Sequence, residues 1–130
     1  MKIFLSIVLV IIAFISCDRK SEYLELNKSF DLSYGNCIKD YNKILTVCFD
    51  SIISDSRCPD GGICIWAGEA IARFNIKVGL HGFRTIDLRL SNDTLINGCK
   101  FSFVSLNPYP SIRHNISVND YKARIVIHQE

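Results

Sequence analysis

The chain has 130 residues, of which 15 are basic and 13 acidic, for a formal charge of +2. That is the length of one domain, and so even a balance gives no electrostatic grip on nucleic acid. No low-complexity segment and no internal repeat occurs.

The sequence opens MKIFLSIVLVIIAFISC: Lys2 precedes an uncharged run from Ile3 to Ile15, followed by Ser16-Cys17. A positive start, an apolar stretch of roughly 7–15 residues and a small residue before the cut make up a secretory signal. The run is shorter than the about 20 apolar residues a membrane-spanning helix needs. It also lacks the polar stripe that would mark the solvent face of a core helix.

Phe14-Ile15-Ser16-Cys17 resembles the bacterial lipoprotein box, with phenylalanine where leucine is usual in the first position. The resemblance implies that residues 1–16 are removed and that Cys17 is acylated and becomes the new N-terminus. Several acyl chains hold a protein to a membrane durably, since each buried CH₂ contributes about 0.8 kcal/mol. The next residues, DRKSEYLELNKS, are polar and mixed in charge, so 17–28 is expected to be a lipidated tether and 29–130 the folded domain. Asp18 and Glu22 loosely resemble the acidic export signals of Bacteroidetes surface lipoproteins, although Arg19 and Lys20 interrupt them. The expected location is the cell envelope, on the outer membrane, with the surface and periplasmic sides both open.

Within the domain, the first expected strand is Ile44–Phe49. Cys58 and Cys64 then flank Pro59-Asp60-Gly61-Gly62, a turn sequence, and in an oxidising compartment they are the first choice for a disulfide. Cys37, Cys48 and Cys99 complete an odd set once Cys17 carries lipid, and their pairing stays open. From Cys64 the even positions read Cys64, Trp66, Gly68, Ala70, Ala72, Phe74, Ile76 and Val78, while Arg73, Asn75 and Lys77 fall between them. This period of two marks a strand with one buried face, with a bulge or bend at Ala67-Gly68 to relieve its length. Gly79 to Gly82 makes a hairpin loop, and Phe83–Leu90 returns with Ile86, Leu88 and Leu90 on one face.

Ser91-Asn92-Asp93 breaks that strand, and further strands are expected at Phe101–Leu106 and Tyr121–Ile127, separated by the Asn107-Pro108-Tyr109-Pro110 turn. Short strands between turn signals indicate an all-β fold, a single antiparallel β-sandwich or barrel-like domain after the signal peptide.

The stretch SRCPDGGICIWAGEA, residues 56–70, is the one segment that does not read as generic. It is expected to be a structural clasp, with Trp66 packed near the disulfide over one end of the core, Arg57 paired with Asp55 or Glu69, and Asp55 or Ser56 bonded to backbone amides. Arg57, Asp60 and Trp66 form the candidate binding surface beside it. A C-x5-C spacing without nearby histidines fits zinc poorly, and a redox pair would be C-x-x-C, so no metal and no cofactor is expected. His81, His114 and His128 fall in loops or the tail, and no nucleophile elbow, phosphate loop or metalloprotease motif occurs, so no catalytic residue is named.

Asp55-Ser56-Arg57-Cys58-Pro59 with Cys64-x-Trp66-Ala67-Gly68, the turn at 107–110 and the closing DYKARIVI at 120–127 together resemble a family of small, Bacteroidetes-type bacterial lipoproteins. The resemblance implies a lipoprotein with one β domain and no assigned activity. The expected function is therefore a non-enzymatic binding or scaffolding domain held to the envelope by its lipid, with an unidentified protein or glycan as ligand. The alternative is a membrane-tethered protease inhibitor that presents the Cys58–Cys64 loop, since a preorganised loop binds at lower entropic cost.

Overall fold

Alternation of apolar and polar residues makes strands of this chain, and eight of them form in the computed structural model, which describes residues 22–130. The expected leader and the expected acylation site, Cys17, lie outside the described residues. The strands are β1 (Ser29–Ser33), β2 (Cys37–Lys39), β3 (Leu45–Asp55), β4 (Ala70–Val78), β5 (Arg84–Arg89), β6 (Asp93–Ile96), β7 (Cys99–Asn107) and β8 (Lys122–Gln129). They build two four-stranded antiparallel sheets, ordered β1-β8-β7-β6 and β2-β3-β4-β5. The fold is an all-β, two-sheet sandwich.

Each sheet turns one face inward. On β4, Ala70, Ala72, Phe74 and Ile76 are buried, whereas Ile71, Arg73, Asn75 and Lys77 remain partly open to solvent. On β8 the buried set is Ala123, Ile125 and Ile127. Phe49 stacks on Phe74 with ring centroids 5.3 Å apart, and Phe74 meets Phe103 of the other sheet edge-on at 5.5 Å. Each fully buried phenylalanine contributes about 1.5–3 kcal/mol, so this trio ties the sheets together.

The structure departs from the sequence reading in three places. The strand expected from Cys64 begins only at Ala70, because the ladder with β3 ends at the Asp55–Ala70 pair and Gly68 takes φ +70°, which extended backbone cannot accommodate. β3 runs six residues beyond Phe49, to Asp55, through register shifts after Phe49 and Ile52. Finally, the described part of the expected tether is not loose. Leu24 is 3% exposed, inserted in the core, and its N–H donates to the Lys39 carbonyl at 2.9 Å.

The backbone bonds also fix which loops share an end of the sandwich. Residues 24–27 cross between the sheets at one end, where the Asn27 N–H reaches the Ile127 carbonyl at 2.8 Å. The 40–44 and 79–83 loops close the same end, and the Gly79 N–H donates to the Ile44 carbonyl at 2.8 Å. The segment 56–69 and the long 108–121 connection, which holds the 3-10 turn Val118–Asp120, lie at the opposite end. Entry of the chain and the clasp are therefore at opposite poles.

Candidate functional site: the clasp and its apolar tip

The two arms of the 56–69 segment continue the β3–β4 ladder in irregular form. The Ser56 N–H donates to the Glu69 carbonyl at 2.8 Å and the Cys58 N–H to the Ala67 carbonyl at 3.1 Å, while the Ser56 hydroxyl accepts from the Glu69 N–H at 3.1 Å. Between the arms, the Gly62 N–H bonds the Pro59 carbonyl at 2.9 Å, and Gly61 takes φ +82°, the third-position conformation of a type II turn. Cys58 and Cys64 are joined by a disulfide across this turn. A second disulfide joins Cys37 of β2 to Cys48 of β3 in register, and Cys99 has no disulfide partner among the described residues. Burial pushes the Cys99 thiol above its ordinary pKa.

Under the clasp lies a buried ion pair. Arg57 is 7% exposed; its Nε donates to Asp55 Oδ1 at 2.7 Å and its Nη2 to Asp55 Oδ2 at 2.8 Å. Arg57 Nη1 donates to the Leu106 carbonyl at 2.8 Å, and the guanidinium lies 4.8 Å from the ring centre of Tyr109. The Tyr121 hydroxyl donates to Asp55 Oδ2 at 2.9 Å. Burial alone would push the Asp55 carboxyl up, but the hydrogen bonds from Arg57 and Tyr121 and the Arg57 charge outweigh it and hold the group below its usual range.

The three residues of the candidate surface thus have different fates. Arg57 is not on the surface, because both forks of its guanidinium are consumed inside the fold. Asp60 is exposed, yet its backbone works structurally: its N–H donates to the Pro110 carbonyl at 2.7 Å, and its own carbonyl accepts from the Ile112 N–H at 3.2 Å. Trp66 does not cover the core. It is 80% exposed, because the strand phase that would have turned it inward stops at Ala70.

What the clasp presents instead is an apolar tip. Ile63 and Ile65 stand fully exposed beside Trp66, and residues 61–68, GGICIWAG, carry no charge. Ile112 comes from the opposing loop and lies against the turn, so close that a Cβ on Gly61 would sit 3.1 Å from its side chain. The isoleucines were missed by sequence reasoning because they fall on the polar phase of the expected strand; the uncharged run was the signal that could have found them. Large apolar side chains in the open on a braced loop make this tip the candidate interaction surface. In the inner network, among the described residues, every buried side-chain nitrogen and oxygen has a hydrogen-bond partner, and no group of three or more His, Cys, Asp or Glu is placed to hold a metal ion.

Closure of the seven-residue loop from Cys58 to Cys64 contributes about 2.4 kcal/mol in the chain-entropy picture. Cys58→Ser with Cys64→Ser is therefore expected to lower the melting temperature by roughly 10 °C or more in a circular-dichroism melt. An unchanged curve would show that the backbone ladder closes the clasp without the bond.

No protein-family model, no curated protein and no solved structure matches the chain.

Proposed function

We propose that the protein is a non-enzymatic envelope lipoprotein, held to a bacterial membrane at Cys17, whose β domain binds a protein partner through the tip of its clasp. The observation that carries the reading is the pairing of an exposed Ile63-Ile65-Trp66 tip with a rigid, fully bonded base. Preorganised loops lose little entropy on binding, and tryptophan is among the residues enriched at interface hot spots. A protein pocket suits this tip better than a glycan, since residues 61–68 offer neither a charge nor a side-chain amide to flank the indole. The outer membrane is the favoured location.

The test has two arms. Intact mass should exceed that of residues 17–130 by acyl chains, and Cys17→Ser should release the protein from membranes. Trp66→Ala and Ile65→Glu are expected to leave the melting curve within about 0.5 kcal/mol of wild type, as surface changes do. They should nonetheless abolish in-cell crosslinking between the tip and a partner. Retention of the crosslinked partner by both variants would sink the reading, as would a hydrolytic activity that co-purifies with the protein and vanishes on mutation of a surface residue.

The inhibitor alternative is altered by the burial of Arg57. A trypsin-like enzyme has no exposed basic side chain to take between Cys58 and Cys64, since the exposed candidate there is Ile63. Any inhibition would be of an enzyme that accepts an aliphatic residue, and Ile63→Asp would remove it while Arg57 stayed in place.

A further inference from the structure

The pole opposite the clasp carries its own set of exposed apolar side chains. Leu80 is fully exposed, Tyr41 is 78% exposed, and Phe83, Ile44, Tyr23 and Leu26 are also open to solvent. They belong to three neighbouring segments rather than to scattered positions. Tyr23 and Tyr41 meet edge-on with ring centroids 5.7 Å apart, Ile44 is bonded through its carbonyl to Gly79, and Leu80 and Phe83 sit on the hairpin loop that begins there. This is also the pole at which the N-terminal segment joins the core through Leu24.

We infer that this pole is a membrane-resting surface, seated at the boundary between headgroups and acyl chains of the bilayer to which the chain is tethered. The inference rests on the reading of Cys17 as acylated, and chain length then supplies the argument. Only seven residue steps separate Cys17 from the anchored Leu24. Fully extended, they reach roughly 25 Å at most. The acyl chains must start below the headgroup layer, which is about 5–8 Å thick on each side of a bilayer. At most about 17–20 Å of reach is left beyond the headgroups, so this pole, rather than the clasp, is the end kept next to the lipid surface. Tyrosine is a residue of the interfacial belt, and the apolar faces of helices that lie on a membrane bury about 5–10 Å into that zone, which sets the scale for such a contact.

The pole carries basic side chains among its apolar ones. Lys28 is paired with Glu25, whereas the exposed Lys43 of the 40–44 loop and Arg84 next to Phe83 have no ion-pair partner among the described residues. The apolar part of the contact needs no anionic lipid and should survive raised salt, while the basic side chains would add a salt-sensitive part only on anionic lipid.

Trp66 is the single tryptophan of the chain and lies at the far pole, which makes the inference readable by fluorescence. Full-length mature protein with Phe83→Trp and Trp66→Phe, both at exposed positions, would be reconstituted in phosphatidylcholine vesicles with brominated acyl chains. Its fluorescence is expected to be largely quenched and blue-shifted, that of wild type unaffected, and the difference kept at raised salt. Unquenched fluorescence from protein that carries the acyl mass would overturn the membrane contact while leaving the anchor intact. Quenching of wild-type Trp66 would place the clasp in the bilayer and overturn it too. A polypeptide of unmodified mass would instead remove the anchor, and with it the tether argument.

Discussion

Arg57→Met is expected to destabilise the domain by about 3–5 kcal/mol at neutral pH, the loss typical when one partner of a buried ion pair is removed. The substitution deletes three short hydrogen bonds, to Asp55 Oδ1, Asp55 Oδ2 and the Leu106 carbonyl, and leaves the Asp55 carboxylate in the interior with Tyr121 as its remaining side-chain donor. Replacing both residues, Asp55→Leu with Arg57→Met, should recover part of the loss, because no uncompensated charge is then buried. Chemical denaturation of the three proteins measures this directly. A single-variant loss below about 1 kcal/mol would mean that the pair behaves as an exposed one.

The same residues set a pH dependence whose sign reverses between proteins. In wild type the folded Asp55 pKa lies below its ordinary value, so its contribution is complete above that value and is lost as pH falls through the folded pKa. Without Arg57, desolvation is expected to outweigh the remaining Tyr121 hydrogen bond and to raise the folded pKa above the unfolded one. Acid then protonates Asp55 in the folded state first, and the deficit of Arg57→Met relative to wild type should shrink as pH drops from 7 towards 4. A deficit that grows on acidification would refute this assignment of the charge.

Gly68→Ala should be nearly as damaging, at about 3 kcal/mol and a fall of 10–20 °C in melting temperature. A Cβ built at Gly68 would lie 1.8 Å from the Ser56 carbonyl oxygen and 2.5 Å from its carbon, in a backbone at φ +70° that disfavours any other residue. Those atoms belong to the opposite arm of the clasp, so relief requires the arms to part and the ladder at Ser56–Glu69 to break. Gly79→Ala is the control, with φ +67° but nothing within 4 Å of the added methyl. It should cost only the conformational part, about 1 kcal/mol. Equal losses for the two alanines would show that the close approach at Ser56 carries no energy.

Much of the sandwich was readable from pattern because β4, β5 and β8 alternate without interruption over their buried faces. β3 was cut short in the reading for a physical reason: each register shift moves the side chains by one position, so a strict period of two fails after Phe49 although the strand continues to Asp55. β2 has three residues and β6 four, too few for any periodic signal. The site was legible only as a covalent object. The turn and the Cys58–Cys64 pair follow from local chemistry, whereas the burial of Arg57 depends on Leu106 and the anchoring of Asp55 depends on Tyr121, 49 and 66 positions away. Trp66 shows the complementary failure: phase assigns a face only while a strand lasts, and this strand begins four residues after the indole.

β3 runs from the pole where the chain enters to the pole that bears the clasp, Leu45 at one end and Asp55 at the other. Eleven residues of strand span roughly 35 Å, so this one element acts as a ruler. For a chain seated on lipid at its base, the Ile63-Ile65-Trp66 tip stands at a fixed altitude of that order, beyond the headgroups and out of reach of anything flush with the membrane. Its encounters are confined to a thin stratum parallel to the bilayer, which selects for partners tall enough to enter that layer or carried on a structure that lies across it.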